Sequence, residues 1–336
     1  MKISLVVTTI NRPNSVLHSL AHGAVKAGWD FVIIGDKKSP ADFSLPGAHY
    51  LDLQAQGKLN LEYTRACPTG HYARKNIGYL LAMQNGAEII VETDDDNFPR
   101  AEFFLPRERA QIGNRPIKSG WINVYRYFTE ANIWPRGFPL DSILSGNPPL
   151  IQSGIPEDCP IQQGLADENP DVDAIYRLVL PLPISFKKCT TLTLGAHQWC
   201  PFNSQNTTWW RDVFPLMYLP ANCSFRMTDI WRSFVAQRVL WEYKQSVAFH
   251  NATVYQERNP HDLMRDFVDE LPGYNNNRNI GKTLAELILA KGPHATAKNL
   301  KICYEALVGA NIFPAAEIGL VEAWLADCSR ISTPNK

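Results

Sequence analysis

The chain has 336 residues, enough for one large α/β domain or two smaller ones. Hydrophobic residues make up 45% of it and charged residues 20%, the balance of a soluble globular protein with an ample core. Lys plus Arg and Asp plus Glu both number 33, so the net charge is zero; the lack of a basic block argues against nucleic acid as the main partner. No stretch approaches the roughly 18 apolar residues of an integral membrane span.

The opening MKISLVVTTINRPNS has only a brief apolar run and reads as a first strand, not as a secretory signal. Residues 3–10 form that strand. Residues 14–27 then show helical spacing (Val16, Leu17, Leu20, Val25), with Asn14 or Ser15 as the cap and Gly28 as the stop. Residues 31–35, FVIIG, are a second strand that ends at Asp36. Strand, helix and strand in this order predict a parallel sheet with a nucleotide-sized crevice at its carboxyl edge. The first turn lacks G-x-G-x-x-G, which argues against a dehydrogenase-type dinucleotide site.

A helix is predicted over 73–85, closed by Gly86. Arg74 and Lys75 fall in its first turn, the end that favours anions. They suit a phosphate there, and equally a solvated pair of surface charges. The next strand, EIIVETDDDNFP, ends in Asp94, Asp95 and Asp96 before Asn97 and Pro99. Carboxylates this close repel one another, and burial worsens the repulsion. A hard divalent cation, Mn²⁺ or Mg²⁺, relieves it, and an Asp-x-Asp at a strand end can hold a metal that holds a diphosphate.

Beyond residue 100 the pattern is less regular. Residues 133–140, IWPRGFPL, read as a shaped loop presenting Trp134 and Arg136. Residues 162–178 carry a second acidic cluster, in which Asp167 and Glu168 read as a solvated loop and Asp171 and Asp173 remain as candidates. Residues 201–208, PFNSQNTT, read as a polar loop whose amides, Asn203 and Gln205 among them, suit hydroxyl-rich ligands. Asp229 opens a helix over 228–243, where an acid can simply satisfy the helix dipole. A strand over 246–256 places His250 near its middle, and a lone His is more often structural than a ligand.

From residue 275 the character changes. Residues 275–279 predict a polar break, followed by helices over 283–290, 297–307 and 315–326. The Gly281-Lys282-Thr283 triplet is no phosphate loop, because Asn stands at 276 where that motif needs glycine. The seven cysteines form no Cys-x-x-Cys pair, so neither zinc nor a disulfide framework is indicated. A reducing cytoplasm is expected, inner membrane face included, and the sequons at Asn206, Asn222 and Asn251 read as chance.

VVTTINRP, IIGDKKSP, RKNIGYLLAMQNGAEIIVETDDDN, WPRGFPL, QQGLADENPDVDAIYRL, PFNSQNT and TDIWRSFVAQRVLW together resemble the STELLO-type glycosyltransferase family, over about residues 1–260. A more distant similarity is to plant reversibly glycosylated polypeptides, which act as UDP-arabinopyranose mutases. The resemblance implies a GT-A, Rossmann-like mixed and mostly parallel sheet flanked by helices. The expected division is a glycosyltransferase domain over 1–270 (nucleotide-sugar half about 1–100, acceptor half about 101–270) and a helical C-terminal extension over 271–336. It further implies a nucleotide-sugar donor, UDP by class, and a glycan or other hydroxyl acceptor.

By the same resemblance, Asp94 and Asp96 are the Asp-x-Asp that binds Mn²⁺ or Mg²⁺ and the donor diphosphate, with Asp95 toward the sugar or ribose. Thr8, Asn11, Arg12 and Asp36 wall the nucleoside pocket, and Arg74 and Lys75 meet ribose or phosphate. Asp229 sits where inverting enzymes keep a general base, and His250 where a histidine completes the metal site. Asp173 is a further catalytic candidate, and Trp134, Arg136, Asp171, Asn203 and Gln205 are candidates for sugar binding. Three other readings stay open. A nucleotide-sugar mutase would act on donor alone; a phosphatase with Asp94 as nucleophile has Phe98 against it; a sugar- or calcium-binding module would bind without turnover. Oligomeric state, sugar, acceptor and a polysaccharide-building role are open at this level.

Overall fold

The computed structural model describes residues 1–144, 146, 148–257 and 262–332. The first part of the chain runs β1 (Ile3–Thr8), α1 (Ser15–Ala27), β2 (Asp30–Ile34), β3 (His49–Leu51), α2 (Leu53–Gly57), α3 (Glu62–Ala66), α4 (Lys75–Gln84) and β4 (Ile89–Thr93). The middle runs β5 (Asn97–Pro99), β6 (Ala110–Pro116), β7 (Gly120–Trp121), β8 (Ile151–Asp158), β9 (Ile161–Asp167), α5 (Ala174–Val179), β10 (Leu192–Leu194), β11 (Gln198–Trp199) and β12 (Asn206–Trp210). The last part is α6 (Thr228–Trp241), β13 (Val247–Gln256), α7 (Leu263–Ala285), α8 (Thr296–Gly309) and α9 (Ala316–Ser332).

Among the described residues the main sheet has the order β3-β2-β1-β4-β12-β9-β13-β10-β6-β8, with β5 on β13. β3, β2, β1 and β4 are mutually parallel. β12 runs antiparallel between β4 and β9, so β9 and its parallel neighbour β13 point the same way as β1. The carboxyl ends of β1, β2, β4, β9 and β13 therefore share one edge. This is the helix-flanked, mixed α/β architecture expected from the sequence.

Largely apolar runs make β1, β2 and β4 buried on both faces, with Ser4 and Glu92 as buried polar members. Alternate residues serve two cores. Leu5, Val7, Ile33 and Val91 meet Val16, Leu17 and Leu20 of α1, whereas Val6, Val32, Ile34 and Ile90 face α4 and the helices behind it. Asn14 caps α1 by accepting from Leu17 N at 2.9 Å, and Gly28 ends it in the left-handed conformation at φ 69°. α4 begins at Lys75, after a single 3₁₀ turn over Tyr72–Arg74. It lies so near the sheet that a Cβ built on Gly78 would stand 2.6 Å from Val6 Cγ1.

Three expectations are corrected. Asp167 is no solvated loop residue: it closes β9, is buried, and accepts from Arg100 at 2.7 Å. The polar run 201–208 is half strand, because Asn206, Thr207 and Thr208 belong to β12 and all its polar side chains are buried. The break over 275–279 does not exist, since α7 passes straight through it and residue 271 lies within the same helix. Asn277 is buried there, accepting from Trp231 Nε1 and donating to Gly137 O, both at 2.8 Å.

α8 and α9 share the large core with α4, through Leu300, Tyr304, Leu307, Val321 and Trp324. Asp327 accepts from the Glu62 and Tyr63 amides at 3.1 and 2.8 Å, satisfying the first turn of α3. Glu317, fully buried, accepts from Tyr218 OH at 2.5 Å, Ala221 N at 3.2 Å and Asn222 N at 2.8 Å. Among the described residues no helix is long and apolar enough to cross a membrane.

Candidate active site

The shared carboxyl edge opens into a cleft of about 520 Å³. Thr8, Asn11, Asp36, Asp94, Asp95 and Asp96 line it from the first half of the sheet, and Arg136, Asp171, Asn203, Gln205 and Asp229 from the second. Residues more than 200 apart in sequence thus converge where parallel strands leave an opening.

The three aspartates of the β4 end have different surroundings. Asp94 Oδ1 accepts from Tyr72 OH at 2.6 Å and Lys75 Nζ at 2.9 Å. Desolvation pushes its carboxyl above the ordinary range, and Lys75 and Tyr72 pull it back only in part. Asp95 Oδ2 accepts from Thr9 Oγ1 at 2.5 Å and Asn11 Nδ2 at 3.1 Å, which ties the end of β4 to the end of β1. Asp96 Oδ2 accepts from Gln256 Nε2 at 2.8 Å, the last residue of β13. Asp94 Oδ2 accepts no hydrogen bond among the described residues and faces the cleft with Asp96. Asp94 and Asp96, two carboxylates lining one cleft, fit a hard cation that takes its other ligands from diphosphate and water. Among the described residues no three His, Cys, Asp or Glu side chains converge to hold one unaided.

Across the cleft, Arg136 is a buried hub. Its Nε and Nη2 reach Asp171 Oδ1 and Oδ2, each at 2.8 Å, and Nη2 also reaches both Asp229 oxygens at 3.1 Å. The paired guanidinium holds the Asp171 carboxyl below the ordinary range despite its burial, and the two carboxylates hold Arg136 firmly protonated. Asn203 Nδ2 donates to Asp171 at 2.9 Å. Asp229 Oδ2 also accepts from Ser204 N at 3.1 Å and Ser204 Oγ at 3.2 Å. Ser204 Oγ lies 2.6 Å from Tyr72 OH as well, so Tyr72 and Ser204 connect Asp94 to Asp229.

Asp36 accepts from the Gly70 and His71 amides at 2.8 and 3.0 Å, which brings the turn before α4 to the cleft wall. Beneath the floor, Glu92 of β4 and Arg232 of α6 form a fully buried pair at 2.7 and 3.0 Å. Trp209 Nε1 donates to the same carboxylate at 2.8 Å, and Tyr79 OH makes a short hydrogen bond to it. This network fixes the start of α6, and hence Asp229, against the strand that carries Asp94.

Six of the expected site residues have other roles. Lys75 has no exposed surface; its Nζ donates to Asp94, to Tyr72 OH at 2.8 Å and to Thr93 O at 2.7 Å, so it is the countercharge of Asp94 and meets no ligand. Arg74 borders the cleft, but its guanidinium is engaged by Gln56 Oε1 at 2.9 and 2.5 Å and by Cys67 O at 3.2 Å. Arg12 points out of the cleft and pairs with Asp42 at 3.0 Å. Trp134 is buried and donates to Asp173 Oδ2 at 2.6 Å. Asp173 is the N-cap of α5, accepting from Tyr176 N at 2.8 Å, and has no exposed surface. His250 lies outside the cleft with its Nδ1 3.0 Å from Asn251 O; burial, reinforced by Arg107, pushes its imidazole down to about 4.

Tyr72, Ser204, Arg226 and Gln256 line the cleft without having been singled out in the sequence. Arg226 pairs with buried Glu270 at 2.7 Å, which anchors it to α7. Tyr72 directly precedes the Arg74 and Lys75 stretch, and Ser204 lies inside the amide-rich run, so both had a local signal. Gln256 and Arg226 had none.

The family model described as STELLO glycosyltransferases matches residues 226–333, from just ahead of α6 through α9. Probable glycosyltransferase STELLO2 of Arabidopsis thaliana is 30% identical over 272 residues, covering 75% of this chain and 35% of the relative. Probable glycosyltransferase STELLO1 of the same plant is 28% identical over 273 residues with the same coverage. The chain therefore spans about a third of the length of these relatives. Among solved structures, a mycobacterial protein aligns with a TM-score of 0.41 and 11% identity, covering 82% of this chain and 74% of its own.

Proposed function

We propose that this chain, similar over three quarters of its length to the STELLO glycosyltransferases, moves a sugar from a nucleotide-sugar donor, a UDP-sugar by class, to the hydroxyl of a glycan or similar acceptor. The observation that carries this reading is the convergence of Asp36, Asp94, Asp96 and Asp229 on one cleft at the carboxyl edge of the sheet. Thr8, Asn11 and Asp36 would border the nucleoside, and Asp94 and Asp96 would hold Mn²⁺ or Mg²⁺. The ion, when bound, would supply Lewis-acid neutralisation of charge building on the leaving diphosphate.

Asp229 is the proposed general base for the acceptor hydroxyl. Ser204 Oγ is within reach of both Asp229 and Tyr72, so its rotation toward Tyr72 frees room on Asp229 Oδ2. Arg136 aims that carboxylate through its two hydrogen bonds of 3.1 Å. Asp171, held by Arg136 and Asn203, is placed to accept from sugar hydroxyls.

The test is calorimetry of UDP, GDP, CDP and ADP with and without Mn²⁺, on the wild type and Asp96→Ala. Metal-dependent binding of one nucleotide, lost in the variant, is the expected result. Saturation at 100 times the dissociation constant would also raise stability by about 2.7 kcal/mol. If no nucleotide binds, the transferase reading fails.

A further inference from the structure

A second hollow, of about 600 Å³, opens at the carboxyl ends of β9 and β13, on the same edge of the sheet as the cleft. Gln256 lines both spaces. We propose that this hollow is the acceptor subsite and that it takes an uncharged saccharide; the proposal rests on the transferase reading above.

The partition between the two spaces is one side chain thick. Gln256 Nε2 donates to Asp96 on the cleft side, and Gln256 O accepts from Asn169 Nδ2 at 3.0 Å on the other. Arg177, which lines the cleft, reaches Asn169 Oδ1 at 3.4 Å. A hydroxyl-bearing chain lying in the hollow therefore ends beside Asp96, where the donor is proposed to sit.

The lining selects the ligand's charge. Glu168, Glu257, Asn169 and Tyr255 supply polar groups, while Leu182 and Pro183 supply an apolar wall. Among the described residues no Lys or Arg lines the hollow. Of the cations beside it, Arg100 lies over the Tyr255 ring and is paired with Asp167, and Arg177 is turned to Asn169 Oδ1 and Pro170 O from the cleft side. An anionic acceptor would meet the carboxylates of Glu168 and Glu257, an arrangement that disfavours it. A neutral sugar presents C–H faces to the apolar wall and hydroxyls to the carboxylates, which accept strong charge-assisted hydrogen bonds.

Glu168 is held in place for this. It stands in the left-handed region at φ 69°, unusual for a residue with a side chain. Its backbone is fixed to Ile184 by hydrogen bonds of 2.8 and 3.1 Å, and Ser185 Oγ donates to its Oε1 at 3.1 Å.

The experiment measures binding of neutral tetrasaccharides of glucose, mannose, galactose and xylose, of galacturonate oligomers, and of a lysine-rich peptide. Wild type, Glu168→Gly and Glu168→Arg are compared, with nucleotide diphosphate binding recorded on the same samples. Glycine relieves the left-handed backbone, so that variant keeps the fold while losing the carboxylate. The expected result is a neutral saccharide that binds the wild type and weakens about tenfold in both variants, with nucleotide binding unchanged. Binding of no neutral saccharide, equal binding to all three proteins, or preference for uronate or peptide overturns the proposal. Loss of nucleotide binding by the wild type would instead strike the transferase reading, and the saccharide data would still stand on their own.

Discussion

Lys75 Nζ lies 2.9 Å from Asp94 Oδ1 and is shielded completely from solvent. A lysine at the start of a helix is normally an electrostatic misfit, and here the misfit is resolved by a carboxylate arriving from the neighbouring strand. Removing one partner strands the other charge in a desolvated place. Because Asp94 keeps part of its surface open to the cleft, Lys75→Met is expected to destabilise the fold by about 1–3 kcal/mol. Urea unfolding checks this, and Lys75→Met with Asp94→Asn should recover part of the loss, whereas simple loss of packing would add.

The Glu92 and Arg232 pair gives a second prediction. Arg232 makes two hydrogen bonds to Glu92 and stacks over Trp209 at 4.9 Å, geometry that only a planar guanidinium meets. Arg232→Lys is expected to cost about 1–3 kcal/mol. It should also lower turnover, because Asp229 lies one turn earlier on α6. Thermal melts and donor hydrolysis measured on the same variant separate the two effects; unchanged turnover would mean that α6 is positioned by other contacts.

Two groups set opposite pH slopes. The folded state holds the His250 imidazole down to about 4, so between that value and 6.5 the unfolded chain takes up a proton that the folded chain refuses. Its contribution to stability is therefore complete above 6.5 and is lost as pH falls toward 4. Burial pushes the Asp173 carboxyl up to about 6, so the folded chain binds more protons than the unfolded between 3.8 and that value, and stability falls as pH rises through this range. Relative to wild type, the slope of the denaturant midpoint against pH between 4 and 6 should become more negative in His250→Gln and more positive in Asp173→Asn.

The C-terminal helices are predicted to be indispensable. Glu317 satisfies four backbone or side-chain donors around residues 218–222, and Asp327 caps α3, so the two rivet α9 to both halves of the sheet domain. A chain ending at 309 is expected to be insoluble or molten. Glu317→Gln retains shape but loses acceptor capacity and should cost about 1–3 kcal/mol. Limited proteolysis of the truncated chain checks the first, and melting of the variant the second.

The sequence made the first half of the fold readable, because β1, α1, β2 and β4 carry clean apolar periods and their caps are local. The acidic triplet was readable for the same reason: three carboxylates at a strand end need a partner. What was hidden depends on distance. Gln256 meets Asp96 across 160 positions, and nothing near residue 256 announces it. Trp134 and Asp173 look like site residues because an indole and a carboxylate in irregular sequence usually do, yet each is the other's buried partner. The asparagines at 275–277 oppose helix by propensity, and tertiary hydrogen bonds from Trp231 and to Gly137 outweigh it.

Gly78 sets a tolerance for the whole site. With no side chain there, α4 settles against Val6 and Ile34, and one turn earlier the Lys75 ammonium just reaches Thr93 O and Asp94. A single methyl at that point would lift the helix off the sheet like a shim. The first thing to leave its place would be a charge: Tyr72 and Lys75 would retreat together from Asp94, and the link from Asp94 to Asp229 would part at its Tyr72 end. How finely the cleft is tuned thus rests on an atom that is missing, one helical turn from the charge it positions.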